Sequence, residues 1–270
     1  MTWTPSDSDI PSVDPSNGFY ERTSLAMAPS NPSILYAAYS SLNALGTMTS
    51  RIYRTADGGQ SWTELEDVSN NGSPYGYYIR NFLGSQGWYD NTIIVSPDDP
   101  DTINAGGVFY IRSVDGGISW TTASFNAFPH VDAHDYAYQA GVLILACDGG
   151  IYLSMDDGNT WTGKNNGLVT RQYYAMDHDP SHPSRVIGGT QDNGTGRRRN
   201  DDSGLWDDVI GGDGFECAIH PDIPDIAYGT VQYGAIYRSN QFGGGASFSE
   251  ITPPYTPGDG ASFLSVVTLH

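Results

Sequence analysis

Six short polar clusters carry the residue types from which a binding or catalytic site could be built. They are Gln86-Gly87-Trp88-Tyr89-Asp90, His130-Val131-Asp132-Ala133-His134-Asp135, Cys147-Asp148-Gly149-Gly150, Gly189-Thr190-Gln191-Asp192-Asn193-Gly194, Gly211-Gly212-Asp213-Gly214 and Gln232-Tyr233-Gly234. Two separated carboxylates can act as acid and base in glycoside hydrolysis, and an inverting enzyme needs roughly 6.5–9.5 Å between them. Asp132 or Asp135 with Asp213 would be such a pair, with His134 tuning one member. Asp132, His134 and Asp213 are also metal-ligand types, but an Asp-x-His spacing names no metal. Trp88, Tyr89, Tyr233 and the tyrosines of 75–78 offer ring faces on which sugars stack. Asp90, Asp135, Asp148, Gln191, Asp192, Asn193 and Gln232 would supply polar contacts to the same ligand. The bland reading stands beside this one. Asp-Gly, Asn-Gly and Gly-Gly are turn formers, so Asp90, Asp148, Asp192 and Asp213 could equally bind loop backbone. His134 and Asp132 fit that reading least well.

The elements that must position these clusters are legible from a repeated stretch. Thr55-Ala56-Asp57-Gly58-Gly59-Gln60-Ser61-Trp62 recurs as Ser113 to Trp120 and as Ser154 to Trp161. The frame is Ser/Thr-x-Asp-x-Gly-x-Ser/Thr-Trp. Physically it is a hairpin turn: the Asp accepts backbone N–H groups, the Gly takes φ > 0 without steric cost, and the Trp enters the next strand and buries its ring. Asp57, Gly59, Trp62, Asp115, Gly117, Trp120, Asp156, Gly158 and Trp161 are therefore expected to be structural. A second repeat, Pro-x-x-Pro before a short apolar strand, begins at Pro29, Pro97, Pro180 and Pro221. Strand, proline turn, strand, strand, Asp turn, strand is a four-stranded meander, which is one blade of a β-propeller.

Trp62, Trp120, Trp161, Trp206 and Phe248 lie 58, 41, 45 and 42 residues apart, close to the pitch of such blades. The expected fold is all-β: a β-propeller of four-stranded antiparallel blades at about 22–66, 88–124, 132–168, 172–210 and 214–252. The fourth turn has decayed to Asp202-Ser203-Gly204-Leu205-Trp206 and the fifth to Ser239 through Phe248. The insertion at 67–87 is expected to be a loop over one face. Residues 1–5 and 262–270 match a last and a first strand, so a single propeller segment of a longer chain is expected, completed by its remainder or by neighbouring subunits. A closed small propeller is the alternative. The clusters fall just before the first strand or just after the second of each blade, and are expected to converge on one site.

The frame resembles the Asp-box, or BNR repeat, of sialidases, sortilin-type receptors and some glycoside hydrolases. In those families the box is a structural turn, on the side away from the binding face. The clusters in their order, QGWYD, HVDAHD, CDGG, GGTQDNGT, GGDG and QYG, resemble those of large secreted bacterial proteins of the BNR-repeat, sortilin-like (VPS10-type), glycosyl-hydrolase-like group, over nearly all of residues 24–252. The resemblance implies a propeller, an extracellular setting and glycan processing. A sialidase would need three arginines around the sugar carboxylate. Of the 11 here, three form the run Arg197-Arg198-Arg199 and two flank the first turn, and no Arg-Ile-Pro lead-in occurs.

Composition narrows the partners. The formal net charge is −19, and Lys164 is the only lysine. Such a surface repels phosphates, so nucleic acid is not an expected partner. No apolar run reaches transmembrane length. Cys147 and Cys217 sit in strand-like runs and are expected to be free and buried. No cofactor is required; Ca²⁺ is conceivable at Ser6-Asp7-Ser8-Asp9, which lacks the Gly and Glu spacing of an EF-hand loop. The leading expectation is an extracellular module recognising a glycan or protein. The alternatives are a xyloglucanase-like glycoside hydrolase with paired Asp residues and a structural, self-assembling surface protein.

Overall fold

The computed structural model describes residues 18–43, 48–65, 76–122, 129–199, 203–254 and 262–263. It is almost entirely β. Five antiparallel meanders follow one another along the chain. The first is β1 (Gly18–Met27), β2 (Leu35–Asn43), β3 (Met48–Thr55) and β4 (Thr63–Glu64). The second is β5 (Thr92–Val95), β6 (Ile103–Gly106) and β7 (Tyr110–Ser113), with its fourth strand reduced to an Arg112–Thr121 bridge. The third is β8 (Ala133–Gln139), β9 (Val142–Cys147), β10 (Gly150–Ser154) and β11 (Thr162–Gly163). The fourth is β12 (Tyr173–Asp179), β13 (His182–Thr190), β14 (Thr195–Arg198) and β15 (Trp206–Ile210). The fifth is β16 (Cys217–Ile219), β17 (Ala227–Thr230), β18 (Ile236–Ser239) and β19 (Ser249–Glu250). Up-and-down sheets in chain order are propeller blades.

The chain forms two compact units, Met1–Leu168 and Val169–His270. In the first, β1, β5 and β8 lie side by side, so the first strands of successive sheets are neighbours. In the second, β12 and β16 do the same. The cores lie between adjacent sheets. Tyr36, Ala38 and Ile52 pack on Ile93, Val95, Ile103, Ile111 and Trp120. Tyr110 packs on Tyr136, Leu143 and Leu145. Ile187 packs on Cys217, Ile219, Ala227 and Phe242. At roughly 25 cal/mol per Å² of apolar surface removed from water, these layers hold each sheet to the next. Both cysteines are free and buried.

The three full turns share one hydrogen-bond pattern. In the third, Ser154 Oγ donates to Asp156 Oδ1 and accepts the Gly158 N–H at 2.7 Å. Asp156 Oδ1 accepts the Thr160 N–H and Oδ2 the Thr160 hydroxyl. Thr55 and Asp57 do the same with Gly59 and Ser61, and Ser113 and Asp115 with Gly117 and Ser119. The tryptophans stand just outside the strands, not in them: pairing starts one residue later, at Thr63, Thr121 and Thr162. Of the degenerate fourth turn, Asp202 lies outside the described residues. The fifth keeps the backbone without the carboxylate. Ser239 Oγ accepts the N–H groups of Gln241 and Gly243 and meets Ser247 Oγ at 2.6 Å.

Within the insertion at 67–87, residues Gly76–Arg80 form a short helix, α1, where a loop is expected. Its Ile79, with Phe82 and Leu83, enters the core between the first two sheets, and that burial outweighs the poor helix-forming composition. Tyr75 lies outside the described residues, as do residues 1–5, Ser6 to Asp9 and 264–270. Residues 262–263, expected in a strand, are not in one.

Candidate functional site

In a meander, the start of strand one and the turn between strands two and three share one end of the sheet. The proline and Asp turns share the other. The polar clusters occupy the first end throughout: Asp90 precedes β5, Asp132 precedes β8, Asp213 precedes β16, and Asp148, Gln191–Asn193 and Gln232–Tyr233 lie in turns between second and third strands.

In the first unit the clusters meet. The Gln86 side-chain amide donates to Asp90 Oδ2 at 3.2 Å and to Asp132 Oδ1 at 3.0 Å. His134 Nδ1 lies 3.4 Å from Asp90 Oδ1, and Nε2 lies 2.5 Å from Asp148 Oδ1. One imidazole is thus clamped between two carboxylates, and one amide ties the buried carboxylate to a third. Asp90 is 1 % exposed and His134 about a third exposed. Burial raises the proton affinity of Asp90; His134 opposes this and Asp148 adds to it. The Tyr89 ring stands edge-on to the His134 ring, centroids 5.1 Å apart, and Trp88 packs on Tyr89 at 5.5 Å. Trp88 and Tyr89 are more than half exposed. The Arg22 guanidinium donates to the Tyr89 carbonyl, and Asn91 binds the carbonyls of Arg22 and Ala38, so the first sheet braces the platform.

Why His134 points there is a backbone matter. Ala133 pairs with Cys147 and Asp135 with Ala146, so His134 is the extra residue of a β-bulge. A bulge bends the strand and re-aims one side chain. Equivalent register shifts occur at Glu21 in β1 and Tyr174 in β12. Asp135 is exposed and accepts the Tyr136 N–H.

The second unit has its own group. Asp213 Oδ1 accepts the Asp192 N–H at 2.7 Å, and Oδ2 accepts the Gln232 amide at 2.6 Å. Asp213 thereby fastens the turns of two adjacent sheets. Asn193 donates to the Gln191 carbonyl. Tyr233 has φ +60° and is exposed. Its ring meets Phe263, which meets Phe215, which meets Tyr174. Asp132 and Asp213, expected as one pair, belong to different units. Sequence reasoning missed Arg22 and Tyr174, and read Gln86 only as the opening residue of the Trp88 cluster; the bulge that singles out Tyr174 left no signal in the sequence. Among the described residues, no three His, Cys, Asp or Glu side chains are arranged to hold a metal ion. No helix there is long and apolar enough to cross a membrane.

No family model matches the chain, and no curated protein does. Among solved structures it is similar to the GH74 enzyme of Niastella koreensis, with 16 % identity, 86 % of this chain and 38 % of that chain covered, and a TM-score of 0.38. It is similar to an α-L-arabinanase of Penicillium chrysogenum complexed with arabinobiose, with 16 % identity, 92 % and 83 % covered, and a TM-score of 0.35. It is similar to YCF48 from Cyanidioschyzon merolae, with 13 % identity, 87 % and 85 % covered, and a TM-score of 0.32. The chain thus spans well under half the length of the GH74 enzyme.

Proposed function

We propose that this chain is an extracellular recognition module that binds a neutral glycan at the sheet ends bearing Trp88, Tyr89 and His134. The observation that carries the reading is the exposed Trp88–Tyr89 pair seated on a histidine whose two ring nitrogens are held by carboxylates. Aromatic faces stack on the apolar faces of sugar rings, and the partly exposed Asp148 beside His134 would offer an acceptor to a hydroxyl. Three carboxylates against one imidazole and one guanidinium, on a chain of net charge −19, disfavour an anionic sugar.

Titrating the protein with cellohexaose and with a xyloglucan heptasaccharide, followed by calorimetry, tests this. Saturable binding that Trp88→Ala weakens by about tenfold or more is expected for a central aromatic anchor. No binding to any neutral glycan would refute it.

A second reading, glycoside hydrolysis, is favoured by one fact: Asp90 holds its proton more tightly than an ordinary carboxyl, while Asp148 and Asp132 lie in the same network. Release of reducing ends from β-glucans, abolished in Asp90→Asn and in Asp132→Ala, would establish catalysis. Binding without release leaves the module.

A further inference from the structure

At the opposite end of the first unit, the same two strand positions are used differently at two junctions between sheets. Arg112 and Asn104 are paired across β6 and β7. Arg112 Nε and Asn104 Nδ2 both donate to the main-chain carbonyl of Asp157, in the third sheet's turn, at 2.7 and 3.1 Å. That junction is closed, and a Cβ on Gly158 would lie 2.0 Å from Asn104. Arg54 and Tyr36 are paired in the same way across β2 and β3. Here Arg54 Nε turns to the Tyr36 hydroxyl at 3.1 Å, the hydroxyl donates to the Pro100 carbonyl, and Arg54 Nη2 reaches Asp101 at 3.3 Å. The second turn meets the first sheet at Leu65, where a Cβ on Gly117 would lie 2.4 Å away, but beside that contact the junction leaves a cleft of about 530 Å³, walled by the first and second turns. Ala56, Leu65 and Ile118 are its apolar lining. Among the described residues, Arg54 is its one cation, and Asp57, Asp101 and Asp115 are its anions.

We infer that this cleft is a docking site for a basic peptide segment of a partner protein, with a main-chain carbonyl on Arg54 and a lysine or arginine side chain among the three carboxylates. The carbonyl assignment follows from the closed junction, where the equivalent arginine already grips a peptide carbonyl. The cationic side chain follows from charge. Hydrogen bonds within their own turns hold Asp57 below the usual carboxylate range and, against desolvation, Asp115 as well, so both are charged at neutral pH. Arg54 neutralises only one of the three. The site lies at the other end of the sheets from the proposed glycan platform and does not depend on it.

The probe is an N-acetylated, C-amidated pentapeptide alternating glycine and lysine, with its glutamate counterpart as control, titrated calorimetrically at low ionic strength. The lysine peptide should bind and the glutamate peptide should not. Arg54→Ala separates the proposal from plain attraction to acid. It makes the cleft more negative, yet should weaken the lysine peptide about tenfold by removing a charge-assisted hydrogen bond. Ile118→Arg, at a side chain 68 % exposed and so without a folding role, should block the cleft and weaken binding at least as much. Equal binding of both peptides, tighter binding by Arg54→Ala, binding unchanged in Ile118→Arg, or no binding of the lysine peptide would each overturn it.

Discussion

Ser154 shows how much rests on single hydroxyls. It is 1 % exposed and serves Asp156 and the Gly158 N–H at once. Ser154→Ala leaves that buried N–H unpaired, which costs roughly 1–3 kcal/mol; urea unfolding should show a lowered midpoint with an unchanged slope. Asp156 titrates at about 2: desolvation pushes it up, but the Thr160 N–H, the Thr160 hydroxyl and Ser154 together outweigh it. A depressed carboxyl contributes stability above its unfolded pKa, near 3.9, and loses it as pH falls toward 2. Melting temperature should therefore fall between pH 4 and pH 2, with a shallower fall in Asp156→Asn. A pH-independent melting temperature across that window would contradict the assignment. The turn is legible in sequence because every group it uses lies within seven residues. Asp90 was legible as polar, not as buried, because its neighbours come from elsewhere in the chain: His134 beside its carboxylate, and Gly107, where a Cβ would lie 2.7 Å from the Asp90 carbonyl.

At the scale of elements, the meanders follow from alternation and punctuation. Where the proline turn is absent, Ala140 and Gly141 make a two-residue hairpin with φ +50° and +78° between Gln139 and Val142. Such a turn needs positive φ at both positions. The bulges at His134 and Tyr174 were not legible: a one-residue excess leaves no mark in composition, and only cross-strand register reveals it. Junction closure gives a sharper test. Gly158 has φ +88° and abuts Asn104. Gly158→Ala adds backbone strain of about 1–3 kcal/mol to a steric clash. It should lower the melting temperature well beyond Gly141→Ala, which has φ +78° but nothing within 4 Å of the added Cβ. Equal losses would mean that the turn does not seat on its neighbour.

Across the whole molecule, the surplus negative charge is expected to outweigh the local ion pairs. A net charge of −19 on 270 residues repels itself, and salt screens that repulsion within about 10 Å at 0.1 M. Stability of each unit should rise as sodium chloride goes from about 10 to 200 mM; a fall would mean that ion pairs such as Arg51–Glu64 and Arg197–Asp207 outweigh the surplus anions. The sequence showed a chain of meanders but not its partition into two compact units, because the turn frame repeats without marking a break at Leu168. Asp132 falls in one unit and Asp213 in the other, and the proposed platform is built within the first unit alone. Tryptophan fluorescence during titration with cellohexaose probes that platform most directly. A saturable change is expected that disappears in Trp88→Ala and persists in Trp206→Phe. A change that survives Trp88→Ala unaltered, or no change in the unmodified protein, would contradict glycan binding at Trp88.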